Sequence, residues 1–182
     1  KYMKIIINII SISLVGILTA CSYNPNLNFH LPDVEVSKKK IDAELKFVSV
    51  TTIHPLERNG APILIIEQKI PMLFQKSLKD ALDKSSAFKQ ESTRKVDITA
   101  KIFKLKLPNA GLSMTTEVGA KYEIIDRKTE EVLYSQDISS SGTASMDYLY
   151  GTSRFEESIN RAIRSNIVIF LQNIEYMTIK KQ

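Results

Sequence analysis

The sequence predicts an α+β domain whose elements run β-α-β-β-β-α, one antiparallel sheet with two helices packed on a single face. Apolar residues recur at three- and four-residue spacing over residues 74–85 and again over 155–174, which predicts the two helices. Apolar and polar residues alternate over four other stretches punctuated by Pro, Gly, Asn and Asp, which predicts the strands.

The first main strand is expected over 43–52, where Leu45, Phe47 and Ser49 alternate with Lys46, Val48 and Val50. Residues 54–62 hold two prolines and an Asn-Gly pair and read as a loop. Pro71 is expected to open the first helix, because its missing N–H costs little there. Phe74, Leu78, Ala81, Leu82 and Ser85 form the stripe of that helix, which should end near Ser86. In 96–102 the even positions are apolar, whereas from Phe103 the odd ones are (Phe103, Leu105, Leu107). Such a slip turns side chains to the opposite face, so a bulge or sharp bend is expected at Ile102 and Phe103.

A turn at 108–111 leads to a strand with Thr116, Val118, Ala120, Tyr122 and Ile124 on one face. Residues 126–130 close a hairpin into 132–138, and the polar run 139–145 reads as a weak edge strand or loop. The last helix carries Phe155, Ile159, Ala162, Ile163, Ile167, Phe170, Leu171 and Ile174 on its apolar side. Ser153 is its expected N-cap, with Glu156 at capping-box spacing. Residues 167–171 are apolar almost all round, which points to deep burial or contact with a partner.

The N-terminus has a different character. Lys4 precedes an apolar run over 5–18 that Asn8, Ser11, Ser13 and Gly16 interrupt, with Met3 the expected initiator. The run falls short of the ~20 apolar residues that span a bilayer. A basic start, an apolar run and small residues at the end are the parts of an export signal. It ends at Cys21, the single cysteine of the chain, so no disulfide forms within the monomer. Cys21 has four readings: a buried structural thiol, a catalytic nucleophile, a metal ligand, or a site of modification. A nucleophile needs a base placed beside it, and His30 and His54 sit in no cysteine-hydrolase pattern.

Leu18-Thr19-Ala20-Cys21 resembles the lipobox of bacterial lipoproteins. That resemblance implies a signal peptide over 1–20, cleavage before Cys21, and a thioether-linked diacylglycerol on its sulfur, with the new amine open to further acylation. Two or three acyl chains hold a protein durably at a membrane, whereas one binds it only marginally. Ser22, rather than Asp, after the cysteine resembles the sorting pattern of outer-membrane lipoproteins. The domain would then lie in the periplasm; in a monoderm the anchor would be the outer leaflet of the cytoplasmic membrane. Residues 21–32 are rich in Asn, Pro and Ser without an apolar period and read as the acylated cysteine and a flexible tether. Residues 33–182 then make one domain, starting with a short edge strand over 33–36.

Cleavage leaves about 160 residues, enough for a genuine core. The formal charge of +5 falls to near +3 once Lys1 and Lys4 leave. Lys38-Lys39-Lys40 and Lys180-Lys181 are tight clusters that read as solvated, with anionic headgroups or glycan as the functional alternative. No basic stripe with interleaved aromatics supports nucleic-acid binding. The sequence contains no nucleophile elbow, phosphate loop or metal-ligand spacing, so no catalytic residue, metal or cofactor is assigned beyond the acyl groups on Cys21. Glu130-Glu131 and Glu156-Glu157 are adjacent pairs that point in different directions.

Met146, Tyr148, Leu149 and Tyr150 form an apolar-aromatic loop before the last helix, the candidate interface for a protein partner or membrane. The bland alternative is that they plug the end of the sheet. The order of elements over residues 33–175 resembles the small envelope lipoproteins of the YajG type. More loosely it resembles the auxiliary lipoproteins of envelope ABC transport systems and the LPS-assembly lipoprotein LptE. The hairpin over 122–134 is similar to one common in such domains, with Glu130 where Gly is usual. The resemblance implies a non-enzymatic accessory protein that binds or scaffolds an envelope protein partner in transport or assembly. The alternatives are a lipid- or glycan-binding carrier using a groove between the helices and the open end of the sheet, and an envelope hydrolase or transferase.

Overall fold

Residues 25–52 and 65–177 are described in a computed structural model of the chain. The elements are β1 (Glu44–Thr52), α1 (Ile65–Ser85), β2 (Lys95–Lys106), β3 (Met114–Asp126), β4 (Val132–Ala144) and α2 (Gly151–Glu175). The α+β class and the element order are those expected. The four strands lie in the order β1-β2-β3-β4. The sheet, however, is mixed rather than wholly antiparallel: β1 pairs parallel with β2, and the other two pairings are antiparallel. The reason is the helix between the first two strands. A helical crossover carries the chain back to the end of the sheet where β1 began, which is how parallel neighbours are joined.

Both helices bury against the face that carries Tyr122. Its ring stacks on Phe170 of α2 at 4.1 Å and meets Phe74 of α1 edge-on at 6.4 Å. Thr116, Val118, Ala120, Tyr122 and Ile124 are buried on this face, as the alternation in β3 predicts. The opposite face is solvated, with Lys104 and Lys106 sharing Glu117 and with Lys121 paired to Glu123. The register of β2 shifts between Ile102 and Lys104, where the apolar phase slips. The bulge lets the Phe103 ring lie against Gly119, where an added Cβ would meet the ring at 2.6 Å. In β1 the buried phase is Val48 and Val50, while Phe47 is exposed beyond a register shift at Leu45.

Helix α1 starts before Pro71 rather than at it. One intrahelical bond is lost at the proline, but Ile70 is fully buried and extends the stripe of Phe74, Leu78, Ala81, Leu82 and Ser85 by a turn. Helix α2 likewise starts earlier than expected, at Gly151, with Tyr150 as a cap that makes no side-chain bond. Glu156 therefore does not close a capping box with Ser153; its Oε1 accepts the backbone N–H of Asn26 instead.

The polar run 139–145 is a full continuation of β4 to Ala144. Its small residues let α2 approach closely. A Cβ on Gly142 would stand 2.2 Å from the Ala162 nitrogen and 2.4 Å from the Ser158 oxygen. A polar seam fills this contact. Ser140 Oγ donates to the Ala162 carbonyl, and Asn166 Nδ2 donates to the Ile138 carbonyl and to Ser140 Oγ. Because Ser158 Oγ donates to the Phe155 carbonyl, the buried Thr116 hydroxyl is the donor to Ser158.

Residues 25–32 depart from the expected tether. Leu27, Phe29 and Leu31 are buried in the core, Phe29 to 1% exposure, while Asn26, Asn28 and His30 between them face out. The segment is an extended strap along α2. Asn160 Oδ1 accepts the Asn28 N–H, Arg164 Nη2 donates to the Asn28 carbonyl, and Lys84 Nζ donates to the Leu31 carbonyl. Val168 and Leu171 of the nearly all-apolar stretch of α2 line a groove together with Leu31 and Val34 of the strap. Residues 33–36 form no strand: Val36 is exposed, and the next ladder contact is a bridge between Ile41 and Phe88.

A candidate contact surface at one end of the sheet

The hairpin loop after β2 and the connection from β4 to α2 emerge side by side. Met114 pairs with Ala144, so the residues just before β3 and just after β4 share one end of the sheet. Here Leu112 is 70% exposed, Met146 61%, Leu149 86% and Tyr150 73%. These four large side chains share one end of the sheet and are more open than Phe47, Phe103 and Val132 on the strands themselves.

The connection is built to hold its shape. Ser145 O accepts from Tyr148 N, and Asp147 Oδ1 accepts from Ser145 N, which closes a tight turn. Two arginines from α2 brace it. Arg154 Nη1 donates to the carbonyls of Tyr148 and Leu149 at 2.8 and 3.2 Å. Arg161 donates to the Thr143 carbonyl, pairs with Asp147 and lies 5.5 Å above the Tyr148 ring. Its hydrogen bond to Glu157 is the main cause of a pKa raised above the usual arginine value. The four residues singled out in the sequence thus divide: Tyr148 is half-buried and supports the turn, while Met146, Leu149 and Tyr150 project from it. Leu112 was missed, because an isolated leucine in a polar turn carries no signal until strand register places it.

The strap begins at the same end. Asn26 sits beside Glu156, in the second turn of α2, and the chain runs from there toward Lys38, whose N–H meets Glu175 near the far end of that helix. Cys21, Leu18, Thr19, Ala20 and Ser22 lie outside the described residues, as does His54. His30 lies on the strap, 3.4 Å from Lys84 Nζ, and among the described residues no carboxylate or hydroxyl is bonded to its ring. Among the described residues no cluster of three or more His, Cys, Asp or Glu is placed to hold a metal ion. At the other end of the strap, a groove of about 250 Å³ opens among Leu31, Val34, Lys38, Val168, Leu171 and Glu175. Among the described residues no helix is long and apolar enough to cross a membrane.

No protein-family model matches the chain, and no curated protein matches it by sequence. Solved structures do match. A Xanthomonas campestris protein of the DUF330 family superposes with a TM-score of 0.53 at 8% identity, covering 82% of this chain and 91% of its own. A PelC dodecamer from Paraburkholderia phytofirmans reaches 0.49 at 13% identity, over 80% of this chain and 95% of that one. A minor lipoprotein from Acinetobacter baumannii reaches 0.43 at 10% identity, over 71% and 92%. The first likeness shows a fold shared with a bacterial DUF330 protein, and at that identity it shows the fold alone. Bacterial lipoproteins are among the looser likenesses.

Proposed function

We propose that this chain is a bacterial envelope lipoprotein with a non-enzymatic binding or scaffolding role. Acylated Cys21 anchors it to the periplasmic leaflet of the outer membrane, and its single α+β domain serves an envelope transport or assembly system. The observation that carries this reading is the braced turn at 145–150. Two arginines and an aspartate hold it in one shape while it presents apolar side chains to the outside. A preformed apolar surface of this kind suits contact rather than chemistry, because it loses little conformational entropy when it is covered.

Two measurements test the proposal. Metabolic labelling with a fatty acid should mark the wild-type chain and leave Cys21→Ser unlabelled and unprocessed. Crosslinking in intact cells should give an adduct with an envelope protein at constant stoichiometry. Normal labelling of Cys21→Ser removes the lipoprotein reading, and a chain that crosslinks to no protein removes the scaffolding role.

The groove beside the strap favours a second reading, a carrier of a small apolar or glycan ligand. Its lining mixes Leu31, Val34, Val168 and Leu171 with Lys38 and Glu175. Its volume lies just below the ~300–1,000 Å³ common for small-molecule sites. A ligand seen by native mass spectrometry, and lost in Leu171→Trp, supports the carrier.

A further inference from the structure

We infer that the end of the domain bearing Leu112, Met146, Leu149 and Tyr150 docks on the phospholipid bilayer to which Cys21 is anchored. This rests on the lipoprotein reading above and assigns the bilayer as the occupant of its contact surface.

The inference follows from where the strap is pinned. Had residues 21–32 been a free tether, the domain could face the membrane in any orientation. Instead the packing of Leu27 and Phe29 and the bonds from Asn26 to Glu156 and from Asn28 to Asn160 fix the chain onto α2. Cys21 stands five residues before Asn26. A fully extended chain of that length spans at most about 18 Å. Glu156 lies five residues into α2 from Gly151, roughly 8 Å along the helix axis. The braced turn directly precedes Gly151. An acyl chain on Cys21 therefore keeps this end of the domain within reach of the bilayer surface, whereas Lys38 and Glu175 lie near the far end of α2.

The side chains suit that position. Tyr at the headgroup boundary with Leu and Met beside it is the composition of an interfacial anchor, and exposed apolar area there is covered at no cost in partner ordering. Charge is not the driver. The cations near this end, Arg154, Arg161, Lys104 and Lys106, are matched in number by the carboxylates Glu117, Asp147, Glu156 and Glu157, so they form no net basic patch. The docking is therefore insensitive to salt, unlike adsorption of a basic patch.

The test uses the full chain, processed in cells and reconstituted in vesicles of phosphatidylethanolamine and phosphatidylglycerol. Acylation blocks Cys21, so a cysteine introduced by Leu149→Cys, Leu112→Cys or Lys128→Cys takes an environment-sensitive fluorophore alone. Lys128 lies in the β3–β4 turn, at the opposite end of the sheet. Quenching by a lipid-phase quencher should be several-fold stronger at 149 and 112 than at 128, and unchanged in high salt. Equal, weak quenching at all three positions in a chain whose mass shows the diacylglycerol overturns the docking and leaves the anchor intact. A mass without acyl groups overturns the anchor, and the docking with it. In cells, a photo-crosslinker at position 149 should capture phospholipid; a protein adduct there assigns the surface to a protein partner and overturns the inference.

Discussion

The Tyr122 hydroxyl donates a 2.8 Å hydrogen bond to Asn166 Oδ1, and both side chains are fully closed to solvent. The bond joins the centre of the sheet to the middle of α2. Asn166 then spends its two N–H groups on β4, at Ile138 and Ser140. Tyr122→Phe keeps the stacking on Phe170 but leaves a buried amide oxygen unmatched. We expect it to cost about 1–3 kcal/mol in urea unfolding. A loss near zero would mean that the oxygen finds another partner.

The same phenol sets the alkaline limit. Burial raises the Tyr122 pKa well above its ordinary value of 10.0, and burial also raises Tyr134. The unfolded chain therefore ionises first as pH climbs past 10, binds fewer protons than the folded one, and gains on it. Stability is full below that pH and falls above it, by at most about 1.4 kcal/mol per pH unit for Tyr122, while the half-buried, solvent-screened Tyr134 adds less. Urea midpoints followed from neutral to strongly alkaline pH should show the decline, and Tyr122→Phe should make it shallower.

Two glycines on neighbouring strands separate a rigid contact from a yielding one. Gly142→Ala drives a methyl into the backbone of α2, whereas Gly119→Ala meets the rim of the partly exposed Phe103 ring and, at 3.1 Å, the Lys104 Cβ. We expect the first to cost 3 kcal/mol or more, above the ~1–3 usual for overpacking, and the second to cost under about 1.5. Thermal melts of the pair check the ranking, and equal losses would contradict the close approach at β4.

Phe29→Ala tests the strap. Truncating a fully buried phenylalanine costs about 3–5 kcal/mol, whereas the same change in a solvated linker costs almost nothing. Limited proteolysis should also cut near residue 29 in the variant and spare it in the wild type.

At the β3–β4 turn the expectation runs in the opposite direction. Glu130 adopts φ 59, the left-handed region that favours glycine, and Asp126 holds the turn by accepting the N–H groups of Lys128 and Thr129. Glu130→Gly removes strain of about 1–2 kcal/mol and returns part of it as freedom in the unfolded chain. A net gain of about 0.5–1 kcal/mol in urea unfolding is expected; destabilisation would show that the glutamate side chain contributes to the turn.

Much of this protein is legible along the chain, because burial on one side of a helix or strand projects onto sequence as a period. The stripe from Phe74 to Ser85, the face from Thr116 to Ile124 and the bulge at Ile102 all follow from that projection. So does the candidate surface in part, since Met146, Leu149 and Tyr150 are apolar in a stretch that has no period to absorb them. The strap was legible in principle: Leu27, Phe29 and Leu31 alternate, but asparagines and a proline mask three apolar residues that belong to no sheet.

Other features belong to the tertiary structure alone. The polar run in β4 looks weak as a strand because its small residues serve α2, which is distant in sequence and presses on Gly142. Leu112 joins the turn at 145–150 only through the pairing of Met114 with Ala144. The start of the strap reaches that same end through the bond between Asn26 and Glu156 and the packing of Leu27 and Phe29. A period records which side of an element is covered. Which element covers it, in what register and how closely, is set by contacts between distant residues, and those decide which side chains meet at one end of this sheet.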